Sequence, residues 1–543
     1  MPQPDDPIRR LVERRHPDYE RNAAEWAFLR QSVEALPAEY ADANLHKHPR
    51  EGKKVFEARL KRAQDHRYNI TREVLECYLG YLFQQAPTPA ENLPECATSF
   101  LESADLDGRP AVELARDTAF WAGDYGIIWI GVDKPPIPPD AIQPADDGEE
   151  PRQLSAQQER ELGLLPYAYL VHPTHVLDGR IHRGKVEWLL ILEDDRDDAD
   201  PLNSSGAVEL RWRLWTPTGW FLYRMVEEAT AGRPAKYEEV DRGDNRLGEV
   251  PFVPVRIGKG KGFASPGLVA EIAHIDRAIF NHMSLVDEIH YGVTFPQLVY
   301  PHDQDVYSTR TTGEGSDANT VTELSPTGKA ILEVGVHDVI PYPVTERGAH
   351  KPEYISPPSA PAEELRKAIQ EMVRLALALA ALEGETATET EEGGARLAES
   401  GVAKSYIFEK LNKRLAAIAD ALQTAFAKVL RLVCLWQGED LERLPAVPWD
   451  FPDQFEVQSL ANEVALLSEL VGLNPPSETF LAELWKSVAH KVFKKLPEQV
   501  LDAIDQEIEA GTAAAIAGAG DEVQEDDHEV QGEDKMGGKP YGA

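Results

Sequence analysis

The chain has 543 residues, more than one domain of roughly 100 to 200 residues would use, and 42% of them are hydrophobic, enough for packed cores and against wholesale disorder. Fifty-six basic against 93 acidic side chains leave a net charge of −37, which excludes a protein that wraps nucleic acid in a broad basic surface but not one past which DNA slides. Three cysteines, Cys77, Cys96 and Cys434, are too few and too scattered for a disulfide framework or a four-ligand zinc site. A reducing compartment is expected and no bridge is invoked.

The opening MPQPDDPIRRLVERRHPDY lacks the apolar stretch of a secretory signal. The most apolar run, 372–382, is interrupted by Arg374 and falls short of the roughly 20 residues of a membrane span. A soluble, unexported protein without membrane contact is expected. Helical spacing runs over 8–35 and again over 51–85, where Phe56, Leu60, Tyr68, Ile70, Val74, Leu75, Tyr78 and Leu79 form an apolar stripe. A third helix at 108–122 leads through Gly123-Asp124-Tyr125-Gly126 into a buried strand, 127–132. Residues 134–165, rich in proline and acid, read as a surface excursion. Strands follow at 186–192, 208–215 and 220–226, the last two joined by the turn Thr216-Pro217-Thr218-Gly219, and 251–255 reads as an edge strand because of its prolines.

A long helix is predicted at 266–291, with Ser265 as N-cap, Pro266 at the first helical position and Gly292 past the end. Short strands at 297–300, 330–334, 339–342 and 353–355 then precede a helix at 362–382. The segment 383–394, EGETATETEEGG, has five glutamates and no basic residue, and a very long helix at 395–436 follows it, with a stripe that includes Leu411, Leu415, Ile418, Leu422, Phe426, Val429 and Leu432. Further helices are expected at 459–471, 477–492 and 496–510, and a disordered acidic tail from Thr512. The whole reads as an α+β protein.

No motif in the chain makes an active site. Gly258-Lys259-Gly260-Lys261-Gly262 matches neither phosphate-binding glycine pattern, since Phe263 follows it, and reads as a flexible basic loop. GFASPG around Ser265 is not a nucleophile elbow. His172, His175 and His182 are close in sequence but have no cysteine or acidic partner at ligand spacing. The glutamates at 383–392 repel one another and favour an extended loop.

The order of these elements resembles that of tailed-bacteriophage portal proteins, nearest to their podovirus-like branch: α/β wing, stem helix, small β clip, second stem helix, tunnel loop, long wing helix and helical crown. The residues carrying the resemblance are RAQDHRYN at 62–69, the run 251–255 before Ile272-Ala273-His274-Ile275-Asp276-Arg277 and Tyr291, Phe295-Pro296-Gln297-Leu298-Val299, Gly328-Lys329-Ala330-Ile331-Leu332-Glu333, and Glu399-Ser400-Gly401-Val402-Ala403-Lys404. On this resemblance 1–265 is the wing region, 266–292 and 359–382 the stem helices, 293–358 the clip, 383–398 the tunnel loop, 399–438 the long wing helix, 439–511 the crown and 512–543 the tail. The Pro-rich insert and the acidic tail are departures from the family pattern.

The resemblance implies a ring of about twelve copies at one capsid vertex of a virion assembled in the host bacterial cytoplasm, through which double-stranded DNA passes during packaging and ejection. It implies no enzyme activity and no cofactor in this chain, with the large terminase subunit, head-tail adaptor, major capsid and scaffold proteins as partners. Candidate DNA-channel residues are Glu383, Glu385, Glu389, Glu391, Glu392, Arg396, Arg277, Lys367 and Arg374, with His274, His282 and Arg366 as further basic residues on the stem. Candidate clip and partner residues are Gln297, Val299, Tyr300, Ile331, Leu332 and Tyr342. Two competing readings are a metal-dependent enzyme using the three histidines and a monomeric minor head or scaffold protein with portal-like helices.

Overall fold

A computed structural model describes residues 6–135, 158, 162–324, 340–382 and 401–455 with short gaps, and positions 486, 500, 503–508 and 510. The chain divides into two units, Met1–Phe455 and Glu456–Ala543. In the second, residues 503–508 are helical, and the predicted helices at 459–471 and 477–492 lie almost wholly outside the described residues, as does the tail.

Prolines open three successive helices, α1 (Pro7–Glu13), α2 (Pro17–Glu34) and α3 (Pro37–Asn44). Proline loses no hydrogen bond at a first helical position but cannot continue a helix already running. The spacing over 8–35 therefore resolves into two helices, with the His16 Nδ1 accepting from the Asp18 N–H at 3.1 Å. The stretch 51–85 is likewise two, α4 (Lys53–Ala63) and α5 (Ile70–Leu82), because Asn69 caps α5 by accepting from the Arg72 N–H at 2.9 Å. After the two-residue strand β1 (Thr88–Pro89), α6 (Glu95–Glu102) and α7 (Ala111–Tyr125) follow, α7 ending at Gly126 with φ 83°.

Two antiparallel sheets stand against these helices. In the first, β2 (Ile127–Asp133) lies between β3 (Tyr167–Val171) and β9 (Phe252–Arg256), so the Pro254 strand is an edge as its sequence predicts. The second is a five-stranded meander of β4 (Val176–His182), β5 (Lys185–Arg196), β6 (Val208–Trp215), β7 (Gly219–Glu227) and β8 (Lys236–Asp244). Leu189 and Ile191 of β5 join Trp26, Leu29, Trp129, Trp215 and Phe252 in the main core, while Leu190 faces the other way onto Leu177, Trp212, Tyr223 and Val12 of α1. Burial on both faces accounts for the unbroken apolar run in that strand. The edge strand β8, KYEEVDRGD, shows too little alternation to be legible as a strand.

The helix expected from Pro266 begins at Ala270 instead: α8 spans Ala270–Thr294, with Gly292 inside its last turn. Ser265 does not cap it. Residues 265–267 pack over the end of α7, where a side chain at Gly267 would collide with the Asp124 carbonyl and one at Gly126 with the Ser265 carbonyl. The Leu268 N–H donates to the Gly123 carbonyl at 2.8 Å, fixing this crossing. Gly258 and Gly260 are likewise held close to Ser265, so the glycines of the basic loop serve close packing against Ser265.

Beyond α8 come β10 (Gln297–His302), the hairpin β11 (Tyr307–Thr312) and β12 (Asn319–Leu324), then β13 (Ile340–Pro343) and β14 (Glu353–Ile355). The hairpin, YSTRTT against NTVTEL, escapes a hydrophobicity reading because threonine supplies most of its β preference. The strand predicted at 330–334 falls outside the described residues. Two further helices, α9 (Ala360–Ala380) and the 37-residue α10 (Gly401–Gln437), lead to β15 (Trp449–Asp450), which pairs with β1. The described fold is mixed helix and sheet, consistent with α+β.

Candidate functional site

Helices α8 and α9 form an antiparallel hairpin. Strand β10 leaves α8 directly and β14 leads directly into α9, and the two pair antiparallel, Gln297 opposite Ile355 and Val299 opposite Glu353. The helices pack along each other, and Arg366 donates to His290 across them at 2.9 Å. On α9, Ala362, Leu365, Ile369, Met372, Val373, Ala376 and Ala380 recur at helical spacing as the buried or half-buried stripe. Strand β13 adds to the other side of β10 in parallel, Val299 opposite Ile340, giving a three-stranded sheet at the hairpin tip.

Three arginines from α4 and the turn after it hold α8 along its length, from Asp276 to Tyr291. Arg59, 3% exposed, grips Glu51 through two hydrogen bonds of 2.9 Å and donates to Ser284 Oγ at 2.8 Å and to the His46 carbonyl at 2.7 Å. The Arg59 guanidinium holds the Glu51 carboxyl below its ordinary range. Arg62 pairs with Glu288 and lies over the Tyr291 ring. Arg67 stacks on Tyr40 at 3.3 Å and faces Asp276 at 3.5 Å, which also accepts from Thr71 Oγ1 at 3.0 Å; burial still pushes the Asp276 carboxyl upward.

The end of the hairpin away from the β module is closed where α9 stops. Ala381 takes the left-handed conformation with φ 59°, and the last carbonyls find side-chain donors: Lys410 to Ala378 at 3.2 Å, Arg414 to Leu379 at 2.6 Å, Tyr78 to Ala380 at 2.6 Å. Two cations thus meet the negative end of the helix dipole. The chain then enters the glutamate-rich segment. Glu383, Glu385, Glu389, Glu391, Glu392 and Arg396 all lie outside the described residues.

The basic residues of α8 and α9 that the sequence reading places on a stem are each engaged. Lys367 pairs with Glu364 at 2.9 Å and Arg374 with Glu371 at 3.0 Å, while the outer face of α9 carries these pairs in the open. Arg277 stacks on Phe28 at 4.3 Å and donates to His274 at 3.1 Å, and His274 in turn meets Glu25 at 2.9 Å. Arg277 and His274 therefore help seat α8 on α2, a role that its sequence position alone does not indicate. His282 bonds the Ala278 carbonyl of its own helix at 2.8 Å. Gln297, Val299 and Tyr300 lie on β10 and Tyr342 on β13, placed by backbone register alone, and Ile331 and Leu332 fall outside the described residues.

The three histidines do not converge. His172 accepts from or donates to Tyr125 Oη at 3.1 Å and its ring lies 6.4 Å from that of His175, while His182 sits exposed at the far end of β4. Among the described residues no three His, Cys, Asp or Glu side chains are grouped to hold a metal ion. Burial lowers His172 to about 4, keeping it neutral among Trp121, Tyr125 and His175. Near by, Asp124 is fully buried with no hydrogen-bond partner on either oxygen, and burial, helped by Glu34, raises it to about 8. A cleft of about 360 Å³ between the end of α5 and α10 is lined by Gln85, Thr88, Asp420, Gln423 and Asp450 among others, without a histidine, cysteine, lysine or serine.

No known protein-family model and no curated protein matches the chain. Among solved structures it is similar to a chain of the neck of an empty gene transfer agent particle computed with C6 symmetry, with a TM-score of 0.34 and 10% identity over 88% of this chain and 97% of that one. It is also similar to a chain of the virion of a native gene transfer agent particle, with a TM-score of 0.29 and 10% identity over 81% of this chain and 95% of the other. Among the described residues no helix is long and apolar enough to cross a membrane.

Proposed function

We propose that this chain is a portal protein, a ring-forming, non-enzymatic conduit for double-stranded DNA at a capsid vertex. The observation that supports this reading is one structural unit: an antiparallel two-helix stem, tipped by a small β module, held along its first helix by arginines of the preceding helical region and followed through an acidic segment by a 37-residue helix. In the ring the stems line the channel, with the acidic segments 383–398 projecting into it, where like charge repels phosphate and keeps DNA from sticking. The paired Lys367 and Arg374 on α9 leave that face close to neutral, as a sliding surface requires. The β module at 293–358 carries the contacts to the large terminase subunit and, later, to the head-tail adaptor, while the wing meets capsid and scaffold proteins. ATP chemistry belongs to the terminase.

Replacing 383–394 with a short neutral linker tests the placement. Rings are expected to assemble as before while DNA packaging or retention drops at least tenfold, read as packaged genome per particle. Failure of assembly itself would show that the segment belongs to an interface between subunits, and unchanged packaging would remove it from the channel.

A further inference from the structure

Two of the three cysteines, 338 positions apart, meet in space: Cys96 Sγ lies 3.1 Å from Cys434 Sγ. Cys96 is the second residue of α6 and half-buried, and Cys434 is fully buried in the last turns of α10, which packs on α6. Closing this gap to a disulfide, in which the sulfurs stand about 2 Å apart, needs a movement of roughly 1 Å. The rest of the arrangement divides the work between the two thiols. Cys96 is held below its ordinary thiol range by the hydrogen bond from Cys434 and by backbone N–H groups at the start of α6, with burial and Glu439 opposing. Cys434 is pushed up by the same hydrogen bond and by burial, so it holds its proton.

We propose that Cys96 and Cys434 form a thiol–disulfide exchange site that takes low-molecular-weight disulfides such as oxidised glutathione. The accessible Cys96 thiolate attacks one sulfur of the small disulfide, a mixed disulfide forms on Cys96, and one thiolate leaves. The leaving thiolate takes up a proton. Cys434 then loses its proton to solvent and attacks Cys96 Sγ, expelling the second thiolate. One small disulfide is reduced to two thiols as the two cysteines are oxidised to one disulfide. The product ties the first turn of α6 to the end of α10 and closes a loop across most of the first unit.

The test treats the full-length protein with oxidised glutathione, then alkylates and maps it without reduction. The expected result is two fewer alkyl groups on the protein than in a reduced control alkylated alike, a Cys96–Cys434 linked peptide, and faster migration on a denaturing gel that a reductant reverses. Cys434→Ser is expected to stop at a glutathione adduct on Cys96, and Cys96→Ser to leave Cys434 unmodified in the folded protein. The proposal is overturned if conditions that fully modify Cys77 yield no Cys96–Cys434 peptide, or if the only linkages join Cys77 or two chains. The mapping of the unsubstituted protein decides this even where a serine variant folds poorly.

Discussion

Asp124 shows how one side chain can set a pH dependence. Its folded value of about 8 lies above the ordinary carboxylate value of 3.8, so between these limits the folded protein binds a proton that the unfolded chain has released. Stability contributed by the protonated form is complete below about pH 4, falls as pH rises, and levels off above about pH 8. His172 works in the opposite sense: with a folded value of about 4 against an ordinary 6.5, its neutral form contributes stability above pH 6.5 that is lost as pH falls towards 4. Asp124→Asn removes only the first effect. The variant is expected to unfold at a temperature close to the parent at pH 4 and several degrees above it at pH 8, measured by calorimetry; equal differences at both pH values would mean that the buried carboxyl has a partner. Little of this was legible beforehand, because Gly-Asp-Tyr-Gly reads as a turn until the chain crossing at 265–267 is seen to cover it.

At the level of elements, the hairpin of α8 and α9 depends on its anchors. Arg59 faces Glu51 in a site nearly closed to water, so removing one partner leaves the other buried and uncompensated. Arg59→Ala is expected to cost about 3 kcal/mol in urea unfolding, and the double variant Arg59→Ala/Glu51→Ala to recover part of it. A loss below about 1 kcal/mol would mean that α8 is held by its apolar face alone. Most of the long helices and the central strands were legible in the sequence, since α8, α9, α10, β2 and β5 carry strong periodicity or unbroken apolar runs. The misses have physical causes. Pro17 and Asn69 split helical patterns that hydrophobicity alone runs together, β8 is a charged edge, and β11–β12 is built on threonine. Ser265-Pro266 carries a helix-start signal, yet close packing over α7 delays the helix by one turn. Of the candidate site, the sequence located the two helices and their charges but not that Arg277 and His274 are spent on holding α8 to α2.

Assembly of the whole molecule has to overcome its charge. A net charge of −37 per chain is a heavy self-repulsion for a ring, about −444 for twelve copies, and it is tolerable only if the interfaces bury paired charges and apolar surface while the acid faces solvent or channel. The described residues hold exposed apolar side chains on and beside α8 and α9, Leu285, Val293, Leu375, Tyr354 and Ile355, which the portal reading assigns to contacts between copies. Native mass spectrometry of the purified protein, read beside particle images across a salt series, tests this most directly. The portal reading predicts a species near twelve times 60.4 kDa with a central hole, closed by identical head-to-tail interfaces. A monomer or dimer at every salt and protein concentration would contradict it.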